Sequence, residues 1–473
     1  MVPADPGGGL MRTDLLLTPV TGLDEALAAV DGFDEALVSG LLRPRPDRAA
    51  GLAAFAGALA GTPLATRTAE ATARTAEGSS GEDDYLALAG ARTALLGSVH
   101  DALTERITEA TGRGPAEATS PAGTGTPPPA NLLAAARSWL ADLARAGWTG
   151  LDHDTIAASA PVVSALLPDP SLRRLATLID GFAAELAATG PGTAADRVPA
   201  RRWADLWARA MLLTVPGAVT APATETVTGR LLPLGVDLHE HPTAVQAQVH
   251  AVLEPADGST PRLVRAAASA PKPDTVVGAG LWQLLRPRMS LLAALGDGLS
   301  MDLDAMPVTA EGDLIWSDGH ARAGQPADPF VTARVVLPTA ADAFTAPLDR
   351  HPVRIAVPVF LEGYTAHQED DGLVFTVAGQ PLAVDTDRVP AAGPLTPEAV
   401  AASGACLALL RWDAGAYRLQ PLAVEATVRK KTVVLHGGAW AGGTTDKAGA
   451  RAEKAATDAV AVLRERAGRL LRK

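Results

Sequence analysis

The chain has one cysteine, Cys406, among 473 residues, which excludes a disulfide framework and a thiolate zinc site built within one chain. It has no Walker loop G-x-x-x-x-G-K-[ST] and no G-x-G-x-x-G after a strand, so neither an ATPase nor a dinucleotide-dependent enzyme is expected. The stretch MVPADPGGGLMRTDLLLTPV has no basic segment leading into a long apolar core, and no secretory signal is expected. The longest uncharged run, Ala49 to Thr66, is mostly alanine and glycine with Pro63 near its end. It holds too little Leu, Ile or Phe to partition into lipid, and a cytoplasmic protein that does not bind membranes is expected. Lysine is scarce, with 6 against 35 arginines, and alanine, glycine and proline are abundant, a composition that resembles the coding bias of a GC-rich bacterial genome. The formal charge of −12 opposes a phosphate backbone, so nucleic acid is not an expected partner.

What the chain does have is 47 % apolar residues, enough to bury real cores in two to four domains. The first 215 residues show helical spacing. Leu96, Val99, Leu103 and Ile107 form one apolar face, and Leu132, Ala136, Trp139, Leu140 and Leu143 a second. Leu172, Leu175, Ile179, Phe182 and Leu186 form a third behind a Ser171 cap. DEAL occurs at 24 to 27 and 34 to 37 and reads as two acid-rich helix starts favoured by the helix dipole. The segment GRGPAEATSPAGTGTPPPA, 112 to 130, has the composition of a linker and is the expected protease site.

Past about residue 216 the period shortens to two. In TAVQAQVHAVLE the apolar residues from Val245 to Leu253 alternate with polar ones, as in a half-buried strand. Strand-like runs follow at 330 to 337, 353 to 361, 373 to 378, 405 to 412, 416 to 428 and 430 to 436, with helical insertions near 281 to 296 and 396 to 403. Trp412 to Tyr417 reads as a hairpin corner. These patterns predict an α+β protein with helical regions at 1–111 and 131–215, a flexible linker at 112–130 and an antiparallel β-rich domain at 216–444, a sandwich or open barrel. A basic amphipathic helix over 445–473 closes the chain.

VVLHGGAWAGG, 433 to 443, resembles the glycine-rich oxyanion loop of lipases and esterases. That loop needs a downstream G-x-S-x-G nucleophile. Neither GLSMD nor GSSGE supplies one, and Cys406 sits in the apolar run ACLALLRW, where an inert thiol is expected. The glycines read instead as a tight turn with positive φ, with Thr444 or Thr445 capping the next helix. In GVDLHEHP, Asp237, His239 and His241 would share one strand face and could hold zinc, with His250, His320, His351 or His367 as a further ligand. The competing reading makes them the wet side of a sheet ended by Pro242. WSDGH at 316 to 320 and MDLD at 301 to 304 add carboxylates that a turn and an exposed strand explain.

In RRWADLWARAMLLT, 201 to 214, Trp203 and Trp207 fall on one helical face with Arg201, Arg202 and Arg209 around it. A core anchor is the favoured reading and a partner surface the alternative. At the tail, Arg464, Arg466, Arg469, Arg472 and Lys473 exceed what a helix dipole favours in one last turn. They suggest docking on an acidic surface.

The tryptophan helix followed by GRLLPLGVDLHEHP, over about 196 to 253, resembles uncharacterised actinobacterial proteins encoded beside a SWIM zinc-finger protein, a MoxR-type AAA+ ATPase and a von Willebrand A-domain protein. The resemblance implies an accessory subunit in an ATP-driven assembly or conflict system, with the ATPase on another chain. The reading is therefore a non-enzymatic interaction subunit with a protein partner. The alternative is a metal-dependent enzyme using Asp237, His239 and His241.

Overall fold

The computed structural model describes residues 11–114, 128–189, 198–218, 224–370, 372–428 and 430–470. The fold is α+β. Its helical half contains α1 (Thr13–Leu16), α2 (Leu23–Ser39), α3 (Pro46–Ala58), α4 (Ala65–Glu77), α5 (Glu82–Thr111), α6 (Ala130–Ala146), α7 (His153–Ala157), α8 (Ser159–Leu166), α9 (Arg173–Ala188) and α10 (Ala200–Leu213). Val30, Phe33 and Leu37 of α2, at helical spacing, are fully buried against Phe55, Leu140, Trp207 and their neighbours. Each such side chain contributes about 1.5–3 kcal/mol when removed from water.

Helices on both sides of residues 115–127 share this one core. The ends of α2 and α6 touch backbone to backbone, with the Leu41 N–H donating to Ala144 O at 2.8 Å. A Cβ on Gly147 would lie 2.1 Å from the Gly40 nitrogen, so this corner requires glycine. Both DEAL segments lie in the single helix α2. The second is mid-helix, and its Asp34 is buried against Arg92, a pairing that a helix start would not provide. Asp169, not Ser171, supplies the cap before α9, accepting from the Ser171 N–H at 2.9 Å.

The 30 residues of α5 span about 45 Å. Its first half lies in the helical core. In the second half Val99, Leu103 and Ile107 pack on a sheet of the β half, and the Tyr417 hydroxyl donates to Leu103 O at 2.7 Å.

The β half contains β1 (Thr224–His241), β2 (Ala244–Pro255), β3 (Arg262–Pro271), α11 (Gly280–Leu285), α12 (Leu291–Asp297), β4 (Leu299–Thr309), β5 (Asp313–Leu314), β6 (Ala321–Pro326) and α13 (Pro329–Val335). It continues with β7 (Ala356–Glu362), β8 (Thr365–Glu369), β9 (Gly372–Val377), β10 (Gln380–Val384), α14 (Pro397–Ala401), β11 (Ser403–Asp413), β12 (Ala416–Val428), β13 (Lys431–His436) and α15 (Lys447–Leu470). The first sheet runs β1-β2-β3-β5-β4-β6, and β1 also pairs with β4. The ring from β1 round to β4 is therefore closed: β1 pairs with β4 over Thr224 to Leu231 and with β2 from Gly229 to His241. The second sheet, β7-β11-β12-β10-β9-β8, is open, with β13 beside the end of β12.

The two sheets meet along a seam. Leu232, Leu234 and Val252 of the closed ring face Leu407, Leu409 and Leu422 of the open sheet. A register shift in β1 between Pro233 and Gly235 turns the strand there. The approach is so close that a Cβ on Gly235 would lie 2.7 Å from that of Leu422.

Residues 330 to 337, expected as a strand, instead form α13 and the turn after it. Asp328 accepts from the Phe330 N–H and Pro329 occupies the first turn, which starts a helix. Phe330, Ala333 and Leu337 then fill the open end of the seam. The hairpin between Trp412 and Tyr417 is present, with Ala414 and Gly415 both at positive φ.

Cutting the chain at a protease site engineered between residues 115 and 127 is expected to leave two fragments that co-elute in gel filtration, because the pieces on either side share one core. Separate elution in native buffer would contradict that core.

Candidate functional site

Asp237 lies in the seam beyond its apolar part. Oδ1 accepts from Gln420 Nε2 at 2.7 Å and Oδ2 from Arg411 Nη2 at 2.6 Å. Oδ2 also lies 2.9 Å from His239 Nε2. Along β11, alternate positions Ala405, Leu407 and Leu409 face the ring, and Arg411 continues that row to meet the carboxylate. Burial by itself would raise the Asp237 pKa. The His239 hydrogen bond and the Arg411 guanidinium outweigh it and hold the carboxyl well below the usual range.

Asp237 and His239 thus share a strand face as the alternation predicts, while His241 bonds to Thr243. The other histidines considered as ligands have partners of their own. His320 bonds to Asp304 O, His351 to Asp205 and His367 to Glu369. His250, on β2 opposite Gly235, is fully enclosed, its Nε2 has no hydrogen-bond partner, and burial pushes its pKa down to about 3. Among the described residues no three His, Cys, Asp or Glu side chains are grouped as a metal would require. Both Asp237 oxygens are already engaged in joining the ring to the open sheet.

His351 is fixed in one tautomer. Its Nδ1 accepts from the Val353 N–H at 3.1 Å, so Nε2 carries the proton toward Asp205 at 3.2 Å. With both nitrogens occupied, this histidine is a joint between α10 and the turn before β7. Cys406 is fully buried, and burial pushes its thiol pKa up.

The HGGAWAGG loop follows β13. Its N–H groups turn inward: Gly437 donates to Leu422 O, Ala439 to His436 O, Ala441 to Gly438 O and Gly443 to Trp440 O. Only Gly443 of these glycines has positive φ, so a tight turn explains little of the motif. Close packing explains more, since a Cβ on Gly438 would lie 2.5 Å from the Leu295 side chain, and one on Gly296 of α12 would lie 2.7 Å from the Gly442 nitrogen.

Trp203 and Trp207 are both buried. Trp207 Nε1 donates to Leu140 O at 2.9 Å, and Trp203 packs edge-on against Trp148. Neither ring remains on the surface.

The tail helix α15 is capped by Asp446, which accepts from the Ala448 and Gly449 N–H groups. Its first half is anchored: Glu453 pairs with Arg286 at 2.9 Å, and Ala456 sits on Gly280, where a Cβ would approach it to 2.3 Å. Beyond Val460 the anchoring stops. Residues 461 to 466 are all exposed, including Val462, Leu463, Arg464 and Arg466, and Arg469 is exposed beside Glu465. Arg472 and Lys473 lie outside the described residues.

A pocket of about 290 Å³ opens where α13, β7 and the end of α5 meet. Its walls are apolar apart from Thr111, Arg113, Arg334 and Glu362. Arg113 is paired with Asp342, and Arg334 with Glu362 and Glu425. The sequence patterns had marked Asp237 but not Arg411 or Gln420, whose only signal was a polar residue on an otherwise apolar strand face. No helix among the described residues is long and apolar enough to cross a membrane. Compared with family models, curated proteins and solved structures, the chain matches none.

Asp237→Ala or Arg411→Ala alone is expected to destabilise the protein by about 3–5 kcal/mol, because each leaves a buried charge without its partner. Asp237→Leu combined with Arg411→Met should cost less than either. Urea unfolding checks this, and a double variant as unstable as the sum of the single ones would contradict the pairing.

His250 generates a pH dependence of definite sign. It stays neutral in the fold down to about pH 3, whereas an unfolded histidine protonates near pH 6.5. Its contribution is complete above about pH 6.5 and declines as pH falls, by up to about 1.4 kcal/mol per pH unit. His250→Leu should flatten the stability profile between pH 6.5 and 4.5 by that slope. Identical profiles for the two proteins would show that His250 does not titrate this way.

Proposed function

We propose that the protein is a non-enzymatic cytoplasmic interaction subunit that presents the end of α15 to a protein partner. The reading rests on one observation: a helix held firmly at Glu453 and Ala456 runs on past Val460 with exposed Val462 and Leu463 beside Arg464, Arg466 and Arg469. Apolar side chains ringed by arginine suit a hot spot better than a solvated end. In a chain of net charge −12 these cations are complementary to an acidic partner surface. The resemblance of residues 196 to 253 suggests a partner in a MoxR-type AAA+ assembly. The metal-dependent alternative finds less support, because the carboxylate it needs is engaged by Arg411 and Gln420.

Ending the chain at Val460 tests the reading. The truncated protein should keep its melting temperature, since the anchored contacts remain, and should lose a partner that the full chain captures from its native host in a salt-dependent way. Capture of an AAA+ ATPase by the full chain alone is the expected result. Equal capture by both chains, or none by either, would refute the proposal.

A further inference from the structure

Away from α15, three arginines converge on one carboxylate. Asp349 lies 3.2 Å from Arg174 Nη2 and 3.2 Å from Arg354 Nη1, and it also bonds Arg209. Arg174 comes from α9, Arg209 from α10 and Arg354 from the turn before β7, so three separate segments supply the cluster. Among the described residues no other carboxylate has three arginine partners. In an acidic chain this is an anomaly: the expected pattern is the one at Arg334, where two carboxylates surround one arginine.

The charges do not balance locally. Three guanidinium groups meet one carboxylate, and when the adjoining Arg92, Asp34 and Asp205 are included, four cations still face three anions. Arg209, lowered in pKa by burial and by the nearby Arg354 and Arg174, experiences that crowding. The cluster is also reachable. The Arg174 and Arg354 side chains are 56 % and 49 % exposed, and each has N–H groups beyond the one that meets Asp349.

We infer that Arg174, Arg209 and Arg354 form an anion-binding site whose ligand is a phosphate group. Asp349 holds the three arms in place when the site is empty. A phosphate carries about −1.5 to −2 charges at pH 7 and three or more acceptor oxygens, which suits a surplus of one to two positive charges offered by planar donors. A monocarboxylate would leave charge and donors unused. This inference is independent of the role proposed for α15.

Thermal unfolding of the full chain in inorganic phosphate, against chloride at matched ionic strength, tests it. Phosphate stabilises many proteins by exclusion from their surface, so the comparison lies between variants. Wild type should show a saturable rise in melting temperature. Arg174→Gln with Arg354→Gln should weaken the apparent Kd by at least about tenfold, leaving only the unsaturable drift. Asp349→Asn, which removes the built-in competitor, should respond at lower phosphate concentration than wild type. Glycerol phosphate, run in parallel, distinguishes the sources: tighter binding than free phosphate identifies a phosphate ester as the ligand, and equal binding identifies the free ion. A phosphate response equal to that in chloride, or unchanged in the arginine double variant, would overturn the site. Those two measurements decide the matter even if Asp349→Asn fails to fold.

Discussion

The seam between the closed ring and the open sheet is the constraint on which the β half depends. β1 supplies both the inner wall of the ring and its outer contact with the second sheet, so one strand must serve two cores. The register shift at Pro233 and Gly235 makes this possible by turning Leu232 and Leu234 outward and Val236 inward. Gly235 lets Leu422 approach without a Cβ in the way. Past the apolar part, Asp237 meets Arg411 and Gln420. A buried ion pair adds little net stability over apolar residues of the same shape, but it penalises misalignment strongly. A slip of one residue would strand two charges, so the pair selects the docking of the sheets more than it strengthens it.

A second coupling joins the helical half to this frame. α5 belongs to two cores at once, and the Arg92, Asp205 and His351 chain links α5 to α10 and to the turn before β7. The arginines around Asp349 extend the same boundary toward solvent. Polar contacts between the halves are thus concentrated on the 349 to 354 segment, where tethering and anion recognition would act on the same residues.

Surface and core divide the sequence motifs, in one case differently from what its spelling suggests. HGGAWAGG looks like a device for chemistry, and its glycines serve the packing of a loop on α12. The Trp203 and Trp207 pair, whose spacing favours a core anchor over a partner surface, does anchor α10 to Leu140 and Trp148. The exposed apolar residues Val462 and Leu463 lie in the same segment as the tail arginines, whose excess over a helix dipole's needs suggests docking.

Local periodicity determined a good deal of this protein. Leu96 to Ile107 had to be helical, Val245 to Leu253 had to alternate, and Asp237 and His239 had to share a face, because these patterns depend only on a repeat of 3.6 or 2 residues. Residues 330 to 337 show the limit: a short apolar run suits either period, and the Asp328 cap with the space at the end of the seam decided for helix. Closure of the ring through β1 and β4, the Asp237 and Arg411 pairing across 174 positions, and the convergence of Arg174, Arg209 and Arg354 belong to tertiary structure alone. Each joins residues far apart in the chain, and the spacing of residues along a strand or helix carries no information about which distant surface it will meet.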